Sequence, residues 1–454
     1  MLLSNKAKEE FQIEPIVSSE VDELVAYCMR AYRGTPDWVD SKEHIKTINF
    51  AKALCSETAR LTTLGIGIHI GDSARAEWLQ EQIDNIYFKL REWVEYSCAC
   101  GTVILKPNGG SVDIYMPGDY IVTNAQNGVI TGAIFIDRSS DKRNKRFYTR
   151  FEYHRFEENG SYVITNRCKV GSSANDVTKD IAIELTPWAN LAEEEVITNL
   201  TSPLFAVLRT PHANNVDMDS VVSLPIISDA LEELYDLDVA YSRNTKEIKD
   251  SKRTVLLDTD RLLTGKFGDN ALTSYDLPDY VKIVDGTTDA NSDIYHEINP
   301  TLNTDVRITG INALLSQIGY KIGYSNGYFV FNQSTGIQTA TGVEAEQQRT
   351  MQFIKDMRDK LEDCMDKLIY ALNAFADLYN LAPLGVYETT YDFDDITYNR
   401  EEDRAHHYAL AMQGRYPWEE YYVKFLGYSR EDAQMLLAMA EKQRKQPTLF
   451  GNEE

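Results

Sequence analysis

The spacing of apolar side chains changes along the chain, and each spacing predicts a different kind of element. Through about residue 90 it is helical. Val21, Leu24, Val25 and Cys28 share one face, with Ser18 or Ser19 placed to cap its start and Gly34-Thr35-Pro36 to end it. Ile48, Ala51, Leu54 and Cys55 form a second face inside a mixed stretch, Glu43 to Ile68. Leu79, Ile83, Ile86, Leu90 and Trp93 form a third, over Ala76 to Tyr96. From Thr102 the spacing falls to two. Val103–Lys106, Val112–Met116, Tyr120–Thr123, Val129–Asp137, Phe147–Phe156 and Ser161–Lys169 read as strands, separated by Gly109-Gly110, Pro117-Gly118, Asn127-Gly128 and Glu158-Asn159-Gly160. With Leu204–Arg209, closed by Pro211, residues 102–210 predict one antiparallel sheet packed on the N-terminal helices.

Helical spacing then returns in three long runs. The first covers about Ser223 to Arg253, with Ile227, Ala230, Leu231, Leu234, Leu237 and Tyr241 on its apolar face. The second covers about Asn303 to Tyr320, through Val306, Ile308, Ile311, Leu314, Leu315 and Ile318. Between them lie three short strands, Thr254–Leu257, Tyr280–Val284 and Ile294–Ile298, too few for a domain of their own. Two helices leading out to a small module and back predict a stalk with a head. A lone stalk buries little, so its expected partners are copies of itself. An aromatic, glycine-rich segment, Gly323 to Phe331, and a polar loop follow. The third run, about Gly342 to Tyr379, carries Ile354, Met357, Leu361, Cys364, Leu368, Leu372 and Phe375, with Asp356–Lys360 and Asp363–Lys367 as supporting pairs. Tyr387 to Ile396 alternates as a strand. Asn399 to Arg444 predicts two helices joined near Gly427.

Composition bounds the function. A chain of 454 residues is about three domains' worth. Its formal charge of −24 argues against a protein that grips nucleic acid over its whole surface, though not against one that surrounds nucleic acid in motion. Cys28, Cys55, Cys98, Cys100, Cys168 and Cys364 form no disulfide framework and no Cys-x-x-Cys motif, so a reducing cytoplasm is expected. Cys98 and Cys100 read as buried small residues ahead of metal ligands. No secretion signal and no apolar run of membrane-spanning length is visible, so no membrane insertion is expected.

Searches for chemistry return little. Thr264-Gly265-Lys266 ends like a phosphate loop, but Asp260 stands where its first glycine belongs and Phe267 where its hydroxyl residue belongs. Gly65-x-Gly67 lacks the third glycine of a dinucleotide motif, and there is no Gly-x-Ser-x-Gly elbow. His406-His407 are adjacent and so do not share a helix face, which makes them a poor metal pair; surface positions are expected. Asp392, Asp394 and Asp395 are weak candidates for a divalent cation, against the plainer account of a strand edge kept soluble by charge. Arg243, Lys246, Lys249 and Arg253 are spaced to share one helix side. They form either a phosphate-facing stripe or bases that complement the helix dipole. No catalytic residue and no cofactor is expected.

Four segments carry a resemblance. They are Trp93 to Pro107, through Gly101 into Thr102-Val103-Ile104-Leu105-Lys106-Pro107; Pro203 to Arg209 with Pro211, Ala213, Asn214, Asn215 and Asp217; Leu237-Asp238 with Tyr241-Ser242; and Gly323 to Phe331, then Thr339-Ala340-Thr341-Gly342-Val343 with Glu346. In order and spacing, over about residues 30 to 440, they resemble the portal proteins of tailed bacteriophages, in the group typical of long-tailed phages of Gram-positive hosts. Gly342 departs from the pattern, which has an acidic residue before Val343. The resemblance implies an α+β portal fold. Residues 1–210 would be the wing, 211–253 the first stem helix, 254–301 a small α/β clip and 302–322 the second stem helix. Residues 323–341 would be the tunnel-loop region, 342–385 a long wing-crossing helix, and 386–454 a strand and the helical crown. It further implies a homo-oligomeric ring, usually a dodecamer, at one capsid vertex of the virion, assembled in the host cytoplasm. Double-stranded DNA would pass through its channel. The terminase large subunit, the major capsid and scaffolding proteins and a head-completion adaptor would be its partners. Asn332, Gln333, Ser334, Thr335, Gln338 and Thr339 would touch that DNA without strong ion pairs, since no Lys or Arg lies between Phe331 and Thr341. The competing readings are a minor capsid or scaffold-associated protein without a channel, and a metal-dependent nuclease using the Asp392 cluster.

Overall fold

A computed structural model describes residues 2–39, 44–71, 73–109, 111–141, 145–173, 176–251, 254–258, 280–284, 295–298, 303–331, 340–393, 400–413, 415–426, 430 and 433–437. They fall into two compact units, Met1–Phe393 and Asp394–Glu454. Mixed helices and mainly antiparallel sheets make the chain α+β.

The first unit opens with α1 (Leu2–Phe11), α2 (Ser19–Tyr32), α3 (Phe50–Thr62), α4 (Ala74–Ile86) and α5 (Leu90–Cys100). A short strand, β1 (Gly67–Gly71), interrupts the helices. The strand region forms two sheets where the sequence predicts one. β2 (Thr102–Asn108) lies between β3 (Ser111–Tyr115) and β10 (Ala206–Arg209). The chain then leaves this sheet at Pro117-Gly118. A second sheet runs β4 (Tyr120–Gln126), β5 (Val129–Asp141), β6 (Arg146–Phe156), β7 (Tyr162–Ser173), β8 (Asp176–Asp180), with β9 (Glu194–Ile197) also on β7. Alternate residues of β5 serve two cores. Ala133 and Phe135 meet Ile104, Tyr115 and Phe205 of the first sheet together with Val21 and Val25 of α2. Ile134 and Ile136 meet Leu3 and Ala7 of α1. A strand covered on both faces has no polar face, which is why Ile130 to Ile136 is almost wholly apolar.

Gly101 makes the α5–β2 joint. Its φ is +82°, and a Cβ there would stand 2.1 Å from the Ser223 carbonyl oxygen. Only glycine fits that turn and that approach.

The long helical runs become α6 (Leu231–Asp250), α7 (Thr304–Ile322) and α8 (Ala340–Leu378). α6 starts later than its apolar spacing predicts. Pro225 precedes it, and Asn214 folds residues 214–217 into a side-chain-closed turn by accepting from the Val216 and Asp217 amides. Between α6 and α7, β11 (Thr254–Asp258) pairs parallel with β12 (Tyr280–Val284) and antiparallel with β13 (Tyr295–Ile298).

At about 1.5 Å per residue, the 39 residues of α8 form the longest helix described. Its buried stripe, including Ile354, Met357, Leu361, Cys364, Leu368 and Leu372, packs on β10, β2, α3 and α4. Buried Arg75 of α4 closes its end, donating to the carbonyls of Asn373, Ala382 and Pro383 and pairing with Asp377 at 2.6 Å. Asp363–Lys367 forms as spaced, at 2.6 Å, whereas Asp356 accepts instead from Gln352.

The strand near Tyr387 is β14 (Glu388–Asp392). It pairs antiparallel with β1 and so belongs to the first unit, not with the C-terminal segment that the sequence groups it with. Its partner is more than 300 residues away in the chain, out of reach of any local signal. In the second unit, α9 (Arg400–Met412) and α10 (Trp418–Leu426) are separated at Pro417, ahead of the expected joint near Gly427. Residues 433–437 are again helical. His407 is not simply a surface residue: its ring meets Tyr416 and Phe425 at 4.7 and 5.2 Å. All six cysteines are free and buried.

Candidate functional site

The helix pair α6–α7 and its joint with the rest of the first unit form the candidate site. α6 and α7 run antiparallel, with an ionic ladder between them. Glu233 near the start of α6 meets Lys321 at 2.5 Å and Gln317 at 3.2 Å near the end of α7. Glu247 near the end of α6 pairs with Arg307 near the start of α7. Here α6 supplies the acids and α7 the bases. Lys321 also donates to the Asp229 carbonyl, 2.9 Å away, and so reaches the turn that leads into α6.

Apolar burial in this pair is confined to the end nearest the sheets. Leu234, Leu237, Ile311, Leu315, Ile318 and Ile322 are buried. Farther along, Ile248 is 53% and Val306 74% exposed, and Tyr320 on the outer side of α7 is 52% exposed. Large apolar groups left open on a two-helix element are surface that a partner can cover.

The joint is built from the segments that carry the resemblance. Asp238 is buried on α6 and accepts from the Trp38 indole N–H at 2.8 Å and the Ile48 amide at 2.9 Å. Ser242, one turn on, accepts from the Lys46 amide and donates to the Lys46 carbonyl. Together they pin the chain between α2 and α3 to α6. At the end of α7, Gly323 has φ +122°, and a Cβ there would strike the Phe353 ring at 2.9 Å. His212 stacks on that ring and donates through Nε2 to the Ile322 carbonyl; burial pushes its pKa down, so the neutral ring is favoured. Tyr324 is wholly buried among Tyr328, Phe329 and Phe353. Thr58 donates to the Leu54 carbonyl, so the Tyr324 hydroxyl, 2.7 Å away, donates to Thr58.

Asn312 holds the base of the polar loop. Its side chain accepts from the Phe331 amide at 2.8 Å and donates to the Phe331 carbonyl at 2.9 Å. This fixes where the chain leaves α7 before residue 332. The loop residues Asn332, Gln333, Ser334, Thr335, Gln338 and Thr339 lie outside the described residues. Asn312 was not singled out from the sequence, although an amide inside an apolar helical run was the available signal.

The other candidates are described only in part. Arg243, Lys246 and Lys249 are exposed on α6, and Arg253 lies outside the described residues. Asp392 is exposed at the end of β14, while Asp394 and Asp395 are outside the described residues. No group of metal-ligating side chains occurs among those described. Among the described residues no helix is long and apolar enough to cross a membrane. No protein-family model and no curated protein matches the chain.

Proposed function

We propose that this chain is the portal subunit of a tailed bacteriophage, one blade of a ring around a channel for double-stranded DNA. In this reading the two sheets and the helices on them are the wing, α6 and α7 the stem, and the β11–β13 module the clip. α8 is the wing-crossing helix and the second unit the crown. The clip end would meet the terminase motor during packaging and an adaptor afterwards. The observation that supports the reading most is the antiparallel α6–α7 pair with a three-stranded module inserted between its helices. That pair leaves apolar side chains exposed on both helices, so it calls for copies of itself.

The acidic composition fits such a conduit. DNA carries one charge per about 1.7 Å of axis. A strongly basic sleeve would hold it still, whereas an acidic wall with polar loop tips lets it slide. The Asn312–Phe331 clamp would then set where each loop starts along the channel wall. Electron micrographs of the purified full chain test the reading. Rings with a central hole are expected; particles without one would leave the minor capsid alternative.

A further inference from the structure

The outer side of α6 changes sign along its length. Near the start, Glu232 and Asp236 are exposed, and no ion pair or hydrogen bond holds either among the described residues. Beyond Val239, Arg243 and Lys246 lie on nearly the same side of the helix, exposed and equally without such partners among the described residues. The two acids do not stand alone. With Tyr235 they border an open cleft whose other wall is Tyr27 and Trp38. Trp38 meets Tyr27 at 5.8 Å and Tyr235 at 6.2 Å between ring centroids. Its indole N–H is tied to buried Asp238, so the ring is held in place. Arg30 lies over Tyr27 at 5.5 Å, but its guanidinium is committed to Asp37 through bonds of 2.6 and 2.7 Å.

Three aromatic rings and two unpaired carboxylates around one cleft make a receptor for a cation. Aromatic faces attract a guanidinium or ammonium group, tryptophan most strongly, and carboxylates add directed bonds. We propose that this cleft takes the Arg243–Lys246 segment of α6 from a second copy of this chain. The inference rests on the ring reading above, and charge complementarity identifies the occupant. Two copies of α6 side by side in register would set acid against acid and base against base. A parallel offset of about ten residues, roughly 16 Å along the helix, instead brings Arg243 level with Glu232 and Lys246 level with Asp236 of the neighbour. Each copy then gives its basic segment to one neighbour and its cleft to the other. Such a head-to-tail contact closes a ring where its rotation closes, which requires the helices to tilt so that the stagger adds no net rise.

Charge reversal tests this with exposed positions that leave the core intact. Three variants of the full chain are compared with the unaltered one by sedimentation over a range of concentration and salt. They are Glu232→Lys with Asp236→Lys, Arg243→Glu with Lys246→Glu, and all four together; circular dichroism checks that each is folded. Either pair alone is expected to raise the concentration for half-assembly by about tenfold or more, since like charges then face each other. The fourfold variant is expected to restore part of it, since the ion pairs re-form while the aromatic rings lose their cation. Assembly that ignores both reversals, or shows no recovery at all in the fourfold variant, overturns the cleft and leaves the ring standing. Assembly that stops at a dimer but follows the reversal-and-rescue pattern upholds the cleft and overturns the ring. An unaltered chain that stays monomeric overturns both.

Discussion

Ion pairs hold together both the two stacked sheets and the α6–α7 pair, but in different settings. Between the sheets, Lys106 of β2 and Arg150, Glu152 and His154 of β6 are all under 9% exposed. Glu152 pairs with Lys106 and with Arg150 at 2.7 Å, and accepts from His154 Nε2 at 2.8 Å. Arg150 also reaches Asp137 at 2.6 Å, and Asp137 accepts from the Tyr115 hydroxyl. The Lys106 ammonium lies 4.8 Å from the Phe135 ring centroid and 5.1 Å from that of Tyr115. The Leu204 amide donates to the Tyr162 hydroxyl, which donates to His154 Nδ1, fixing the ring as the neutral Nε2–H tautomer. Two cations and two carboxylates balance with their bonds made. In the α6–α7 pair the cations reach water: Lys321 is 36% and Arg307 37% exposed, and among the described residues one buried oxygen of Glu233 has no partner. The sheet is finished within one copy of the chain. The α6–α7 pair is not, and on the proposed reading copies would meet there.

Removing one charge separates the two settings most sharply. Lys106→Met leaves Glu152 buried without its closest cation and is expected to cost about 3–5 kcal/mol of stability, as single losses from buried pairs do. Chemical denaturation of the folded chain measures it. A cost below about 1 kcal/mol would mean that the sheet network is no more essential than a surface pair.

Acid is the next lever. Burial lowers the pKa of His154 against the pull of Glu152. Burial works to raise that of Glu152, but Lys106, His154 and Arg150 hold it well below the carboxylate range. An unfolded histidine takes a proton near pH 6.5, while folded His154 stays neutral. From there downward the unfolded state binds more protons, so stability falls with acid by up to about 1.4 kcal/mol per pH unit for this group. Half-buried His212 acts in the same direction. Glu152 adds a second loss once pH drops below about 4.3, as its ion pairs are titrated towards its depressed folded value. Denaturant midpoints measured from pH 7.5 to 5 should hold to about pH 6.5 and fall below it; a profile flat throughout would contradict the neutral imidazoles.

The smallest effect belongs to the outer rung of the α6–α7 pair. Arg307→Ala removes a pair whose side chains are 37% and 23% exposed and should cost about 1 kcal/mol or less. If it costs as much as Lys106→Met, the helix pair is a core in its own right and the contrast collapses.

Much of the element list was legible, and the misses share a cause. Apolar spacing located α2 and α3, ran α4 and α5 together, and found most strands and the helices α6 to α8, because that signal is local; it gave no separate sign of α1. It did not divide residues 102–210 into two sheets, since Thr102–Lys106 reads the same whichever strands flank it. Lys106 itself closed a predicted strand without any sign that it is buried; its partner Glu152 lies on β6. At the joint, Asp238 and Ser242 stood out only through the family resemblance. Their bonds to Trp38, Lys46 and Ile48 give those positions a physical role.

By itself, the sequence determined where most helices and strands form, that two of the long helices flank a small strand module, and that the chain is acidic. Tertiary structure decided what covers each face: that β14 joins β1, that Arg75 closes α8, that Asn312 clamps Phe331, and that Trp38 stands against the acids of α6. Periodicity records that a face is apolar or charged. It cannot record which distant surface meets that face, because that choice is made by packing among elements far apart in the chain.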